Sequence, residues 1–187
     1  MLGLIDDVQR TVGAGFRDEG DVVLLLGHQR AEIGASEFVK LMTGTICGDA
    51  PVLDIEEEKA LQTALLTAIR RGYVKSAHDC AEGGLAVSLA ECCLQSPHSH
   101  GAIIELPATA DRFVIFGESQ SRVVITADSG NLSELQTLMA MHKVPCTIIG
   151  AVFGDTFHMQ DIHLSVERLR KAYEGTLPSI LATPVAD

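Results

Sequence analysis

The segment "DVVLLLG", Asp21 to Gly27, constrains this 187-residue chain more than any other. Five large apolar residues run without a polar interruption and stop at a glycine, a length that suits a strand and is short for a helix. It reads as a buried, central strand, and a central strand needs neighbours. "YVKSAHD", "GAIIELP", "SRVVITA" and "VPCTIIGAV" read as further strands, with "TFHM" a short partner of the last around Gly154.

Helical segments alternate with these runs. Gly34 to Gly44 reads as a short helix with Ser36 at its cap. Asp54 opens the best defined one: Glu57 stands three residues on, the capping-box spacing, and Leu61, Leu65 and Ile69 recur every four residues as one apolar stripe. Acids crowd its start and Arg70 and Arg71 its end, as the helix dipole favours. "EGGLAVSLAECCL" is a further helix, and Asn131 to His142 another, with Asn131 as cap, Glu134 three residues on and Leu135, Leu138 and Met139 facing inward. "SVERLRKAYEG" closes the series with Gly175 just past its end. "RFVIF", 112 to 116, fits a strand or a short helix. Strands and helices alternating over one core argue an α/β sandwich with a mixed sheet. Residues 1–177 are expected to form one domain, and 178–187 a tail.

The formal net charge of −11 has the wrong sign for nucleic acid or anionic lipid, and no basic patch is clustered in the sequence. A phosphorylated ligand would have to be met by backbone NH groups, a few placed side chains or a bridging metal. Nowhere do eighteen apolar residues run together, so no membrane partner is expected. Cys47, Cys80, Cys92, Cys93 and Cys146 contain no C-x-x-C pair and suggest free thiols in a cytoplasmic protein.

Two stretches have the residue types for binding. "SAHDCAEGGLAVSLAE" places His78, Asp79 and Glu82 where a strand opens into a helix, with Gly83 and Gly84 in its first turn. Bare NH groups and the positive dipole end at such a start attract anions. Asp79 and Glu82 are equally spaced as a capping box, which would use the same NH groups internally, and without Mg²⁺ they would repel phosphate. Metal-bridged site and structural junction both remain open. "FGESQSR" offers Glu118 as acceptor and Ser119, Gln120, Ser121 and Arg122 as donors, enough to orient a sugar phosphate, or merely a polar turn. No nucleophile with an adjacent base, P-loop or complete G-x-G-x-x-G is present, so no catalytic residue is expected.

Taken together, "EGDVVLLLG", "EIGASEF", "LDIEEEKALQ", "SAHDCAEGGLAVSLAE", "FGESQSRVVI", "IIGAV" and "KAYEGTLP" resemble, in order, the C-terminal domain of phosphoribosylformylglycinamidine synthases, in the superfamily of aminoimidazole ribonucleotide synthetase. The resemblance implies an α/β/α sandwich with a mixed four-stranded sheet. It also implies the last quarter of a large subunit that uses ATP, Mg²⁺ and glutaminase-derived ammonia to amidate its small-molecule substrate, formylglycinamide ribonucleotide. ATP and Mg²⁺ would be bound mainly by the other domains of that subunit. Glu118, Ser119 and Gln120 match a substrate-contacting motif, here in a copy that has generally lost turnover. Two positions depart from the pattern: Ala35 stands where glycine is usual, and Ala81 where serine is common. The alternatives are the equivalent domain of aminoimidazole ribonucleotide synthetase or a related ATP-using enzyme, and a non-catalytic interaction module.

Overall fold

A computed structural model describes residues 4–5 and 7–181. Among these residues seven strands form one sheet: β1 (Val22–Leu26), β2 (Ser76–Asp79), β3 (Ala102–Ile104), β4 (Val123–Ala127), β5 (Cys146–Val152), β6 (Thr156–Met159) and β7 (Ile162–Ser165). They lie in the order β2-β4-β1-β5-β3-β6-β7. The sheet is mixed, as expected, since β3 and β6 are parallel while the other neighbouring strands pair antiparallel. It is larger than the four strands the resemblance implies, and it includes β7, a segment not read as a strand in the sequence. "TFHM" is β6 and does not partner β5; β3 separates them.

Among the described residues six α-helices accompany the sheet: α1 (Glu37–Thr43), α2 (Ile55–Arg70), α3 (Gly84–Leu94), α4 (Arg112–Ile115), α5 (Leu132–Met141) and α6 (Val166–Leu181). β1 is the middle layer of two cores. Val23 and Leu25 pack with Leu85, Leu89 and Cys93 of α3, and with Phe157 and Val166. Leu24 and Leu26 pack with Leu61, Ala64 and Ala68 of α2 and with Leu135, Leu138 and Met139 of α5. The alternation of a strand thus sends its five apolar residues to both faces, giving the α/β/α sandwich. Between Val23 and Leu24 the register with β5 slips, leaving Ile149 as an extra residue buried on the α3 face.

The local signals largely hold, with instructive exceptions. Ser36 caps α1 by accepting from the Val39 amide at 3.2 Å. Asp54 caps α2, accepting from Glu56 and Glu57 at 2.9 and 3.1 Å, but Glu57 turns to Arg30 at 2.6 Å instead of closing a capping box. Asn131 does not cap α5. It sits in a preceding 3₁₀ turn, and Asp128, three residues upstream, accepts from Gly130 at 2.8 Å. "RFVIF" resolves as the short helix α4, capped by Asp111. α6 does not stop at Gly175; it continues through Pro178 to Leu181, so the expected tail begins as helix, and 182–187 lie outside the described residues. A glycine in an exposed helix costs only about 1 kcal/mol, too little to end it.

Ala35 adopts φ 56°, in the left-handed region. The resemblance noted in the sequence implies glycine at this position. A Cβ there costs about 1–2 kcal/mol, partly offset because glycine is more mobile in the unfolded chain. Ala35→Gly is therefore expected to raise the melting temperature by about 1–4 °C, measurable by thermal denaturation.

Candidate functional site

β1 and β2 end, and β4 begins, at the same end of the strands: Val123 is opposite Leu26 on one side and Asp79 on the other. The segments that follow β1 and β2 and precede β4 therefore converge. His78 and Asp79 close β2, Glu82, Gly83 and Gly84 follow it, and the loop Phe116 to Arg122 leads into β4.

Several residues of that loop engage other parts of the molecule, and others bond within it. Phe116 stacks on Phe38 of α1, ring centroids 4.8 Å apart. Glu118 uses one oxygen, Oε1, to accept from the Gly83 amide and from the Glu37 amide, both at 2.9 Å. One carboxylate thus joins the first residues of α1 to the residue that opens α3. Ser119 donates to the Arg30 carbonyl at 3.3 Å, and Ser121 to the Glu58 carboxylate at 2.6 Å. Gln120 is exposed and donates to the Glu118 carbonyl at 3.1 Å.

Arg122 is the largest of the fully buried side chains, 2% exposed. Its guanidinium donates from Nε to Ser119 at 3.1 Å, from one terminal nitrogen to Val114 at 3.4 Å and from the other to Gly117, all backbone carbonyls. Burial pushes its pKa down, partly offset by nearby Cys80 and Glu32. It forms no ion pair among the described residues.

The glycine-rich start of α3 also differs from both readings of the sequence. Gly83 takes the cap position at φ 81° with no side-chain cap from its own segment. Asp79 and Glu82 are exposed and form no capping box. The acceptor comes instead from Glu118, thirty-five residues away, so an internal carboxylate holds the place a bound anion would take. His78 points along α3: its Nδ1 lies 2.7 Å from the Asp79 carbonyl and its Nε2 3.2 Å from the Glu91 carboxylate. No group of three His, Cys, Asp or Glu among the described residues is arranged for a metal. His78, Asp79 and Glu82 are therefore not gathered around one point, whereas a Mg²⁺ ion is ordinarily held by one or two carboxylates together with ligand phosphates.

Sequence reasoning missed the acids and bases that secure these loops. Glu57 pairs with Arg30 at 2.6 Å and lies 3.8 Å from His28, and its hydrogen bond holds the Arg30 pKa above its ordinary value. In the sequence Glu56, Glu57 and Glu58 satisfied the helix dipole, and nothing local indicated that two of them had distant partners. Cys80, Cys92 and Cys93 are buried free thiols; burial raises the Cys93 pKa to about 12 and that of half-buried Cys146 to about 11, which suppresses the nucleophilic thiolate. No helix among the described residues is long and apolar enough to cross a membrane.

The family described as "AIR synthase related protein, C-terminal domain" matches residues 18–160. The chain belongs to that family. This AIR synthase-related domain is 42% identical over 185 residues to the phosphoribosylformylglycinamidine synthase subunit PurL of Parafrankia sp. (strain EAN1pec), covering 96% of this chain and 24% of that protein. It is 36% identical over 196 residues to PurL of Anaeromyxobacter sp. (strain K), covering 100% and 26%. The chain spans about a quarter of the length of these curated relatives. Among solved structures, T. maritima PurL complexed with FGAR superposes with a TM-score of 0.71 at 18% identity, covering 87% of this chain and 30% of that one. The same protein complexed with ATP gives 0.68 at 19%. At that identity the likeness shows a shared fold.

Proposed function

We propose that this domain is the C-terminal quarter of an ATP-dependent synthase that amidates formylglycinamide ribonucleotide in purine biosynthesis, and that its own part is to scaffold the subunit. One observation carries the scaffold reading: the two charged groups of "FGESQSR" are engaged inside the domain, with Glu118 bridging two helix starts and Arg122 buried on three carbonyls, while Gln120 is exposed. A loop that presents its groups to a ligand leaves them free to converge on a cavity. The synthase assignment rests on the PurL relatives at 36–42% identity.

Residues 1–177 act as one domain in this reading, in the cytoplasm. ATP and Mg²⁺ are bound mainly by other domains of the large subunit, and a glutaminase subunit delivers ammonia. The T. maritima protein was also solved as PurLQS, in line with an assembly of several subunits.

Steady-state assay of the 187-residue chain with ATP, Mg²⁺, formylglycinamide ribonucleotide and ammonia is expected to show no turnover, and calorimetry no ADP·Mg binding. The long polypeptide that carries the domain is expected to form the amidine. Turnover by the short chain alone would sink the scaffold assignment; an inactive long polypeptide with folded domains would sink the synthase assignment.

A further inference from the structure

Half of the sheet has a bare face. The core shared with α2 and α5 contains residues of β1, β4 and the start of β5, and none of β3, β6 or β7. On that side the register aligns Ala151, Ile103, His158 and His163 across four strands. Ile103 is 38% exposed, Ile148 48% and Phe153 58%. With Glu105, Gly150 and Ala151 they line a shallow depression of about 410 Å³. The opposite side of the same strands is fully used: Ala102, Ile104, Val152, Phe157 and Met159 are buried against α3 and α6.

A solvated face of a largely antiparallel sheet ordinarily alternates to polar residues. Here the positions that should be polar are isoleucine and phenylalanine. The polar residues stand at the margin, with Glu105 at one side and the paired His158 and His163 rings, tilted by 33° with centroids 3.9 Å apart, at the other. An apolar centre with a polar rim is the composition of a docking surface.

We propose that the open face of β5, β3, β6 and β7 is covered by another domain of the same polypeptide, not by a second copy of this chain. The choice between these occupants follows from area and length. Four strands about 4.8 Å apart, with about four residues of about 3.3 Å each, present about 250 Å². Two copies would bury about 500 Å², below the roughly 1,200 Å² that stable association between free proteins requires. A tethered neighbour meets the surface at an effective concentration on the order of millimolar, so a small patch suffices. The PurL relatives supply such a neighbour, since this chain matches only 24–26% of their length. The inference rests on the reading of this chain as one domain of a long synthase.

Hydroxyl-radical footprinting reads the exposure of these side chains directly. Ile148 and Phe153 oxidise readily in the 187-residue chain and are at least about 5-fold protected in the long polypeptide, as residues at the centre of an interface are. Phe153→Glu returns Ile148 of the long polypeptide towards the rate of the short chain, while shifting the melting temperature of the short chain by no more than about 1 °C, because the side chain is exposed there. Equal oxidation in both forms overturns the proposal. So does a dimer of the short chain in light scattering that Phe153→Glu abolishes. A long polypeptide that protects both residues yet makes no amidine supports the docking surface and counts only against the synthase reading.

Discussion

Arg122→Met is expected to lower stability by about 3 kcal/mol, a fall in melting temperature of about 6–12 °C for a domain of this size. The guanidinium is buried and divides its donors among the carbonyls of Ser119, Val114 and Gly117. Removing it leaves three carbonyls facing each other without a donor and releases the loop that holds α1 and α3. Relief of the buried charge works in the other direction, which is why the figure is not larger. Arg122→Lys is expected to fall between the two, because an ammonium keeps the charge but cannot reproduce a planar fork reaching three separate oxygens. Thermal denaturation checks both. An Arg122→Met protein with an unchanged melting temperature would return this residue to the role of a ligand contact.

Gly84→Ala is expected to be at least as damaging. Gly84 has φ 63°, and a Cβ there would lie 2.4 Å from the Gly117 oxygen, 2.9 Å from the Phe116 carbonyl carbon and 3.0 Å from the Ile115 oxygen. These are backbone atoms, so no side chain can swing aside. Gly154 provides the control, with φ 58° and nothing within 4 Å of an added Cβ. Gly154→Ala should cost only the backbone strain, about 1–2 kcal/mol. Gly84→Ala should add the displacement of the loop, for a total of about 4 kcal/mol, read as a loss in melting temperature at least twice that of the control. Equal losses would mean that the loop yields freely and that the close packing of α3 against it is unimportant.

What could be read from the sequence was what depends on near neighbours. The central strand, the Ser36 and Asp54 caps and the apolar stripe of α2 are each encoded within a turn or two of chain. Asp128 and Asn131 are both competent caps three residues apart, and local pattern cannot rank them. The position of Glu118 was not legible for a different reason: its two donors are 35 and 81 residues away. Arg122 reads from the sequence only as a donor in a polar loop; an arginine is seldom fully buried, and only the surrounding carbonyls explain the exception. The open sheet face was equally hidden, since Ile103 and Ile148 look like core residues until the extent of α2 and α5 is known.

The strand order bears on how the chain reaches this fold. β1 is completed near residue 26, yet it lies between β4 and β5, which begin at residues 123 and 146. Nearly a hundred residues must follow before the central strand meets either neighbour, and such high contact order slows folding. During synthesis the Val22 to Leu26 run therefore leaves the ribosome long before it can be paired. Until then it is a short, uncharged, β-prone segment of the kind that drives aggregation. Asp18, Glu19 and Asp21 immediately before it put negative charge beside the run, and charge flanking such a segment disfavours its association with another chain.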